Sequence, residues 1–307
     1  MAKAPRSLAG KVVAITGGAR GIGRATAAAL IAQGARVAIG DIDAPLAQHT
    51  AAELGSGTLG LPLDVTNRAS FDAFLTEVES GIGPLDVVIN NAGIMPIGPF
   101  VDETDTTAAR MVDINLHGVI LGSKLALDRF MPRGRGHLVN IASVAGKGGF
   151  PGGATYCATK HAVVGLSEAI RAEMRKTDIE VSIVMPVVVN TELGSGLQRS
   201  RGVKVVEPED VATAIVEALQ TGRVDVYVPR QVGVLMKAAQ VLPRSVADFV
   251  TRVLKGDQVL VNPDHLLREA YEKRTNDRPA LTEAPPAVPV AASGAAPSAA
   301  EPEKQTV

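Results

Sequence analysis

Short runs of β-branched residues alternate with longer, alanine-rich amphipathic stretches over the front of the chain. Lys11 to Thr16 (KVVAIT) reads as a buried strand, and Gly21 to Gln33 as the helix that follows it. Arg36 to Gly40 is the next strand, with a helix over Pro45 to Leu54. Strands recur at Thr58 to Leu63, Asp86 to Asn90, His137 to Ile141, Glu180 to Met185 and Asp225 to Val228. Helical spacing occupies Ser70 to Ser80, Thr107 to Phe130, Thr155 to Lys176 and Pro208 to Gln220. Near-continuous apolar strands separated by helices imply a parallel sheet covered on both faces. The expected class is therefore α/β: a doubly wound parallel sheet of about seven strands, with ligands at the carboxyl ends of the strands.

Two later segments break this rhythm. Val232 to Leu260 is amphipathic, with Leu235, Met236, Ala239 and Leu242, then Val246, Phe249, Val250 and Val253, at helical spacing. Pro243 splits it into two short helices. From Pro279 onward the chain is Ala, Pro, Ser and Glu with almost no large apolar residue. Such a tail buries too little surface to offset its ordering entropy and is expected to be disordered. The domain plan is thus a flexible N-terminus (1–7), a doubly wound α/β domain (8–230), a helical extension packed on it (231–278) and a tail (279–307).

Composition narrows the class without naming a reaction. The 307 residues are 46% hydrophobic and 21% charged, ample for a globular core, and the formal net charge of -1 gives no electrostatic case for nucleic acid. One cysteine excludes an intrachain disulfide framework and fits a reducing compartment. Met1 to Gly10 lacks the apolar core of a signal peptide, and no apolar run reaches the ~18 residues of a membrane span. A cytoplasmic protein is expected. The histidines (His49, His117, His137, His161, His265) show no metal-ligand spacing, so no metal is expected.

The candidate chemistry lies where strands give way to helices. Thr16-Gly17-Gly18-Ala19-Arg20-Gly21-Ile22-Gly23 joins the first strand to the first helix. Glycines there let backbone N–H groups approach a pyrophosphate at the helix N-terminus. The spacing is Gly17-x-x-x-Gly21-x-Gly23, not the widespread GxGxxG. Asp41 closes the second strand, where a carboxylate accepts hydrogen bonds from an adenosine ribose and repels a 2′-phosphate. Arg20 pulls the other way, since a guanidinium suits a 2′-phosphate. Asp41 is the closer fit to the ribose position, so NAD is expected, with NADP the alternative. Further on, Tyr156 and Lys160 stand four residues apart, on one helix face. A neighbouring ammonium favours the phenolate; moving a phenol from a pKa of ~10 to about 7 takes roughly 4 kcal/mol.

In chain order, Thr16 to Gly23, Asn90-Asn91-Ala92-Gly93, Asn115, Ser143 and Tyr156-x-x-x-Lys160 resemble the short-chain dehydrogenase/reductases, in their single-domain branch with a TGxxxGxG loop. The resemblance covers residues 8–230 and implies a Rossmann-type fold. It implies that Tyr156 is the general acid/base, that Lys160 lowers its pKa and binds the nicotinamide ribose, and that Ser143 holds the reacting oxygen. It assigns Asn115 to a water chain that carries protons from Lys160. It places Thr16, Gly17, Gly21, Ile22 and Gly23 around the pyrophosphate, with Asp64 and Val65 at the adenine. Asn90, Ala92 and Gly93 fall along the ribose, Asn90 also bracing the sheet, and Thr191 at the carboxamide. Val187 follows Pro186 where the family usually has glycine, which puts the details of that cofactor loop in doubt. A homodimer or homotetramer is implied as well.

The expected pocket walls are Ile94 to Phe100, Val144 to Pro151 and Val187 to Leu197, carrying Met95, Ile97, Phe100, Phe150, Val188 and Leu193. They favour a lipophilic secondary alcohol or ketone over a sugar or hydroxy acid. The 232–260 helices, with Lys237, Arg244, Arg252 and Lys255, are read as a pocket cap or subunit interface, with peripheral membrane contact as the other option. The leading expectation is an NAD-dependent alcohol dehydrogenase/ketone reductase. An NADPH-preferring carbonyl reductase is the alternative enzyme, and a non-catalytic nucleotide-sensing scaffold the alternative of another class. Cys157, beside the tyrosine, is read as a packed thiol.

Overall fold

Alternate residues of the central strands go to opposite sides, and both sides are buried. Val13, Ile15, Val37, Ile39, Val87, Ile89, Val139 and Ile141 pack into one apolar layer. Their neighbours Val12, Ala14, Ala38, Val88 and Leu138 pack into another. A period of two with both phases apolar is what a sheet sandwiched between helices requires. The computed structural model describes residues 5–197, 206–241, 243, 245, 258–261 and 263–276. Its strands are β1 (Val12–Thr16), β2 (Arg36–Asp41), β3 (Leu59–Pro62), β4 (Val87–Asn90), β5 (Arg135–Ile141), β6 (Asp178–Pro186) and β7 (Asp225–Val228). They form one seven-stranded sheet in the order β3-β2-β1-β4-β5-β6-β7, with every pairing parallel.

The helices are α1 (Gly21–Ala32), α2 (Ala44–Leu54), α3 (Arg68–Ile82), α4 (Asp105–Val112), α5 (Gly118–Phe130), α6 (Ala154–Glu173), α7 (Pro208–Thr221), α8 (Arg230–Val241) and α9 (His265–Asn276). Leu30 of α1 and Ile215 and Leu219 of α7 lie in the first layer. Phe71, Phe74 and Leu75 of α3 and Leu121, Leu125 and Phe130 of α5 lie in the second. Local signals start several of these helices. Asp43 caps α2 by accepting from Leu46 N, with Pro45 in the first turn. Asn67 caps α3 through Ser70 N, and Thr104 caps α4 through Thr107 N.

The sequence predicts one helix over Thr107 to Phe130; the structure has two, separated by a π-helical stretch over Asp113–His117. The cause is Asn115, fully buried, whose side chain turns to the backbone of Ile94. One extra residue in the turn carries it there, as is common at functional sites. Beyond β7, α8 ends before Pro243, as the proline predicts. Val246, Phe249, Val250 and Val253, the second half of the expected amphipathic pair, lie outside the described residues, as does everything from Pro279 onward.

Sheet order places β1 beside β4 at the point where the chain crosses from one half of the sheet to the other. Ligands of such sheets bind outside the carboxyl ends of the strands at this crossover. A smaller apolar cluster sits there: Met95, Met111, Ala145, Tyr156, Cys157, Val259 and Leu260. It joins residues far apart in sequence over the ends of the central strands.

Candidate active site

A cavity of about 840 Å³ opens at this crossover. Of the sequence-predicted site residues, Gly17, Arg20, Gly21, Ile22, Asp41, Asp64, Val65, Ala92, Gly93, Ser143, Tyr156, Lys160 and Thr191 line it. Thr16, Gly23, Asn90 and Asn115 do not, and each instead holds a neighbour in place. Thr16 Oγ1 accepts from Asn91 N and Ala92 N, both at 3.0 Å. Asn90 Nδ2 donates to Asn140 Oδ1 at 2.8 Å inside the sheet, which commits its side chain to bracing β4 against β5.

The glycine loop shows why no side chain is tolerated. Gly17 has φ +61°, and a Cβ there would lie 2.9 Å from Ala92 Cα. At Gly23 a Cβ would lie 2.3 Å from the Gly17 carbonyl oxygen, so α1 packs directly on the loop. No side chain caps α1, and Gly21 and Ile22 of its first turn line the cavity. Uncapped N–H groups with the positive end of the helix dipole make a site for a phosphate. Asn91, which the sequence reading passed over, clamps the loop: its Nδ2 donates to Thr16 O at 2.9 Å and to Gly17 O at 3.0 Å.

Asp41 sits at the end of β2, its carboxylate accepting from Ala19 N at 3.3 Å and Asp43 N at 3.1 Å. Arg20 is held between two carboxylates, at 3.0 Å from Asp43 and 3.2 Å from Glu192. Glu192 also pairs with Arg274 of α9 at 2.6 Å. Burial works against the Glu192 charge, but Arg274 and Arg20 together hold its carboxyl below the usual range. Asp64 is turned inward by Thr66, whose N and Oγ1 donate to its Oδ1 at 2.9 and 2.7 Å.

The candidate reacting groups come from the end of β5 and from α6. Ser143 follows β5, accepts from Ala145 N at 3.1 Å and lies within 3.4 Å of Pro186 O. Tyr156 and Lys160 are buried on α6, with the Lys160 ammonium 5.7 Å from the Tyr156 ring centre. The lysine donates to Ile141 O at 2.9 Å, and burial lowers its pKa to about 8. The expected lowering of the tyrosine pKa is corrected here. Burial pushes the Tyr156 phenol well above its ordinary value, and the neighbouring Ser143 hydroxyl offsets only part of that rise. Desolvation of an anion outweighs an ammonium that makes no direct contact with the oxygen. Asn115, for its part, is committed to backbone: Oδ1 accepts from Ile94 N and Nδ2 donates to Ile94 O, both at 2.8 Å.

Val187 does not disturb its loop, because its N–H continues the β6–β7 ladder to Val228 O at 3.0 Å. The expected walls are present as Ile94, Met95, Val144, Phe150, Val187, Val188, Leu193 and Leu197. Ile97 packs behind them. Phe100 is corrected: it is 67% exposed and does not line the cavity. The extension closes the top with Val259 and Leu260, at the end of the 232–260 segment expected to cap the pocket, and with Tyr271, Arg274 and Thr275 beyond it. Cys157 is a buried free thiol, accepting from Phe150 N at 3.4 Å. Among the described residues no group of His, Cys, Asp or Glu is placed to hold a metal ion, and no helix is long and apolar enough to cross a membrane.

A doubly wound sheet with a TGxxxGxG loop, and a serine, a tyrosine and a lysine facing the same cavity, defines a short-chain oxidoreductase site. Residues 11–202 match the family described as short chain dehydrogenase, and the chain belongs to it. A sorbitol dehydrogenase of Cereibacter sphaeroides is 38% identical over 62% of this chain and 75% of its own length. A 3-alpha-(or 20-beta)-hydroxysteroid dehydrogenase of Mycobacterium tuberculosis is 36% identical over 68% of this chain and 82% of its own. Among solved structures, a short chain dehydrogenase/reductase from Burkholderia phymatum in complex with NAD superposes with a TM-score of 0.70 and 25% identity, over 76% of this chain and 93% of that one.

Proposed function

We propose that this chain is an NAD-dependent dehydrogenase that interconverts a lipophilic secondary alcohol and its ketone, with Tyr156 as general acid/base. The observation that carries the reading is convergence: Ser143, Tyr156 and Lys160 line the same cavity as the glycine loop and Asp41. A dinucleotide fits the groups present, since the uncapped α1 terminus suits its pyrophosphate and Asp41 its ribose hydroxyls. Bound there, it supplies the hydride acceptor or donor; the chain's own residues handle the proton.

Tyr156 Oη donates its proton to a carbonyl oxygen in reduction and receives one from the hydroxyl in oxidation. Ser143 Oγ holds that oxygen, an oriented dipole where negative charge develops. Lys160 remains an ammonium below about pH 8, and its field favours phenolate over phenol as the proton leaves Tyr156. Asn115 acts through its neighbours: by gripping Ile94 it sets Gly93 close to Lys160, where a Cβ would come within 3.8 Å of Nζ. The apolar cluster over the site favours a lipophilic substrate.

Preference for NAD rests on Asp41 and on Arg20, whose guanidinium is engaged by Asp43 and Glu192 rather than open to a 2′-phosphate. Fluorescence titration with both reduced cofactors is expected to show NADH at least about tenfold tighter than NADPH, and Asp41→Ala should narrow that gap. Tighter NADPH binding by the unaltered chain would overturn the assignment. Gly23→Ala should weaken NADH binding by tenfold or more, because its Cβ at 2.3 Å from a backbone oxygen displaces the phosphate loop. Unchanged affinity would remove the loop from the binding site. The activity itself is tested by screening hydrophobic secondary alcohols with NAD and following the absorbance of the reduced cofactor.

A further inference from the structure

Helix α9 brings a second phenol to the cavity. Tyr271 is 4% exposed and lines the space that Tyr156 and Ser143 line. Its oxygen accepts from Met95 N at 2.8 Å. Among the described residues that hydroxyl has no protein acceptor, so its hydrogen is available to the cavity. The ring is held by cations on its own helix: the Arg268 guanidinium at 4.9 Å and that of Arg274 at 5.7 Å from its centre.

The helix is fastened where it lies. Arg268, fully buried, donates to Leu193 O and Ser195 O at 3.1 Å each and to Met95 O. Those carbonyls belong to the two loops that wall the cavity, so Tyr271 has a set position relative to both. Met95, Leu193, Val259 and Leu260, which line the same cavity, offer no side-chain oxygen acceptor. Of its polar lining, Thr275 is turned to the Tyr271 backbone carbonyl and Glu192 is paired with Arg20 and Arg274. A buried hydroxyl with an unused donor in apolar surroundings is costly unless a ligand supplies the acceptor.

We propose that Tyr271 is a substrate-binding residue whose hydroxyl donates to an acceptor oxygen remote from the carbinol served by Tyr156. The substrate class is then a lipophilic alcohol or ketone bearing a second oxygen function at its far end. This rests on the dehydrogenase reading above for the placement of the carbinol.

The test compares paired substrates on the full chain with NAD. One pair is androsterone and its deoxy analogue lacking the ring-D ketone; another is a medium-chain secondary alkanol with and without a ketone at the other end. The wild-type chain is expected to favour the doubly oxygenated member of at least one pair by about tenfold in kcat/KM, and Tyr271→Phe to bring that ratio near one through KM. A tyrosine that only clamps Met95 would lower both members together and leave the ratio standing, which overturns the proposal. A wild-type ratio near one in both pairs overturns it too. Calorimetric titration of the same pairs into the NADH-loaded chain reads the preference without turnover. A Tyr271-dependent preference in binding without oxidation sinks the dehydrogenase reading and leaves the contact standing; binding of neither member of any pair sinks the contact.

Discussion

Tyr156→Phe is expected to lower kcat by about 10² to 10⁴, the span of general acid–base assistance, while NADH still binds. The ring is buried on α6 against Met95, Ala145 and Cys157, and phenylalanine fills the same space. The loss therefore isolates the hydroxyl. Burial holds that phenol protonated, which suits a group that must donate to a carbonyl, and Ser143 and Lys160 offset part of the cost of the phenolate it leaves. Steady-state kinetics on any accepted alcohol, beside a fluorescence titration of NADH, reads both halves. Full turnover in the variant would remove Tyr156 from the chemistry.

Arg268→Ala should be the most damaging change outside the reacting groups. Three backbone carbonyls lose their donor, and an unsatisfied buried polar group costs about 1–3 kcal/mol. Glu272 lies 3.0 Å from Arg268 Nε, off the line of its N–H, and is left without its cation. The structure relieves that cost by releasing α9, not by unfolding the sheet. Amide exchange across 265–276 is expected to quicken by tenfold or more, KM to rise by a similar factor, and NADH binding to persist. Arg268→Lys should not rescue, since one ammonium cannot span acceptors in two loops as a planar guanidinium does. Unchanged exchange in α9 would show that the arginine does not fasten it.

The parts of this protein that were legible beforehand are those governed by short-range rules. The near-continuous apolar runs of β1, β2, β4 and β5 set the parallel sheet, because each strand has to be apolar on both faces to sit between helices. The Gly17–Gly23 spacing disclosed the close-packed glycine loop, the candidate phosphate site, since the requirement for missing side chains is local. Tyr156 and Lys160 share a helix face by periodicity alone. Less legible was the break in the Thr107–Phe130 helix. The attraction of Asn115 for the Ile94 backbone overrides local helix periodicity, and it exists only once β4 and α4 are side by side. Asn90 and Asn91 are adjacent and chemically alike, yet one faces the sheet and the other the glycine loop.

By itself, then, the chain determined the sheet, the glycine loop and the candidate reacting side chains, all consequences of neighbours within a strand, a turn or a helical turn. Only the tertiary structure decided that α9 closes the cavity, that Arg268 ties Met95 to Leu193 and Ser195, that Glu192 joins Arg20 to Arg274, and that burial raises the Tyr156 pKa. These contacts span as many as 173 residues of chain. Desolvation and the pairing of buried groups depend on what the fold brings together in space, which no local pattern records.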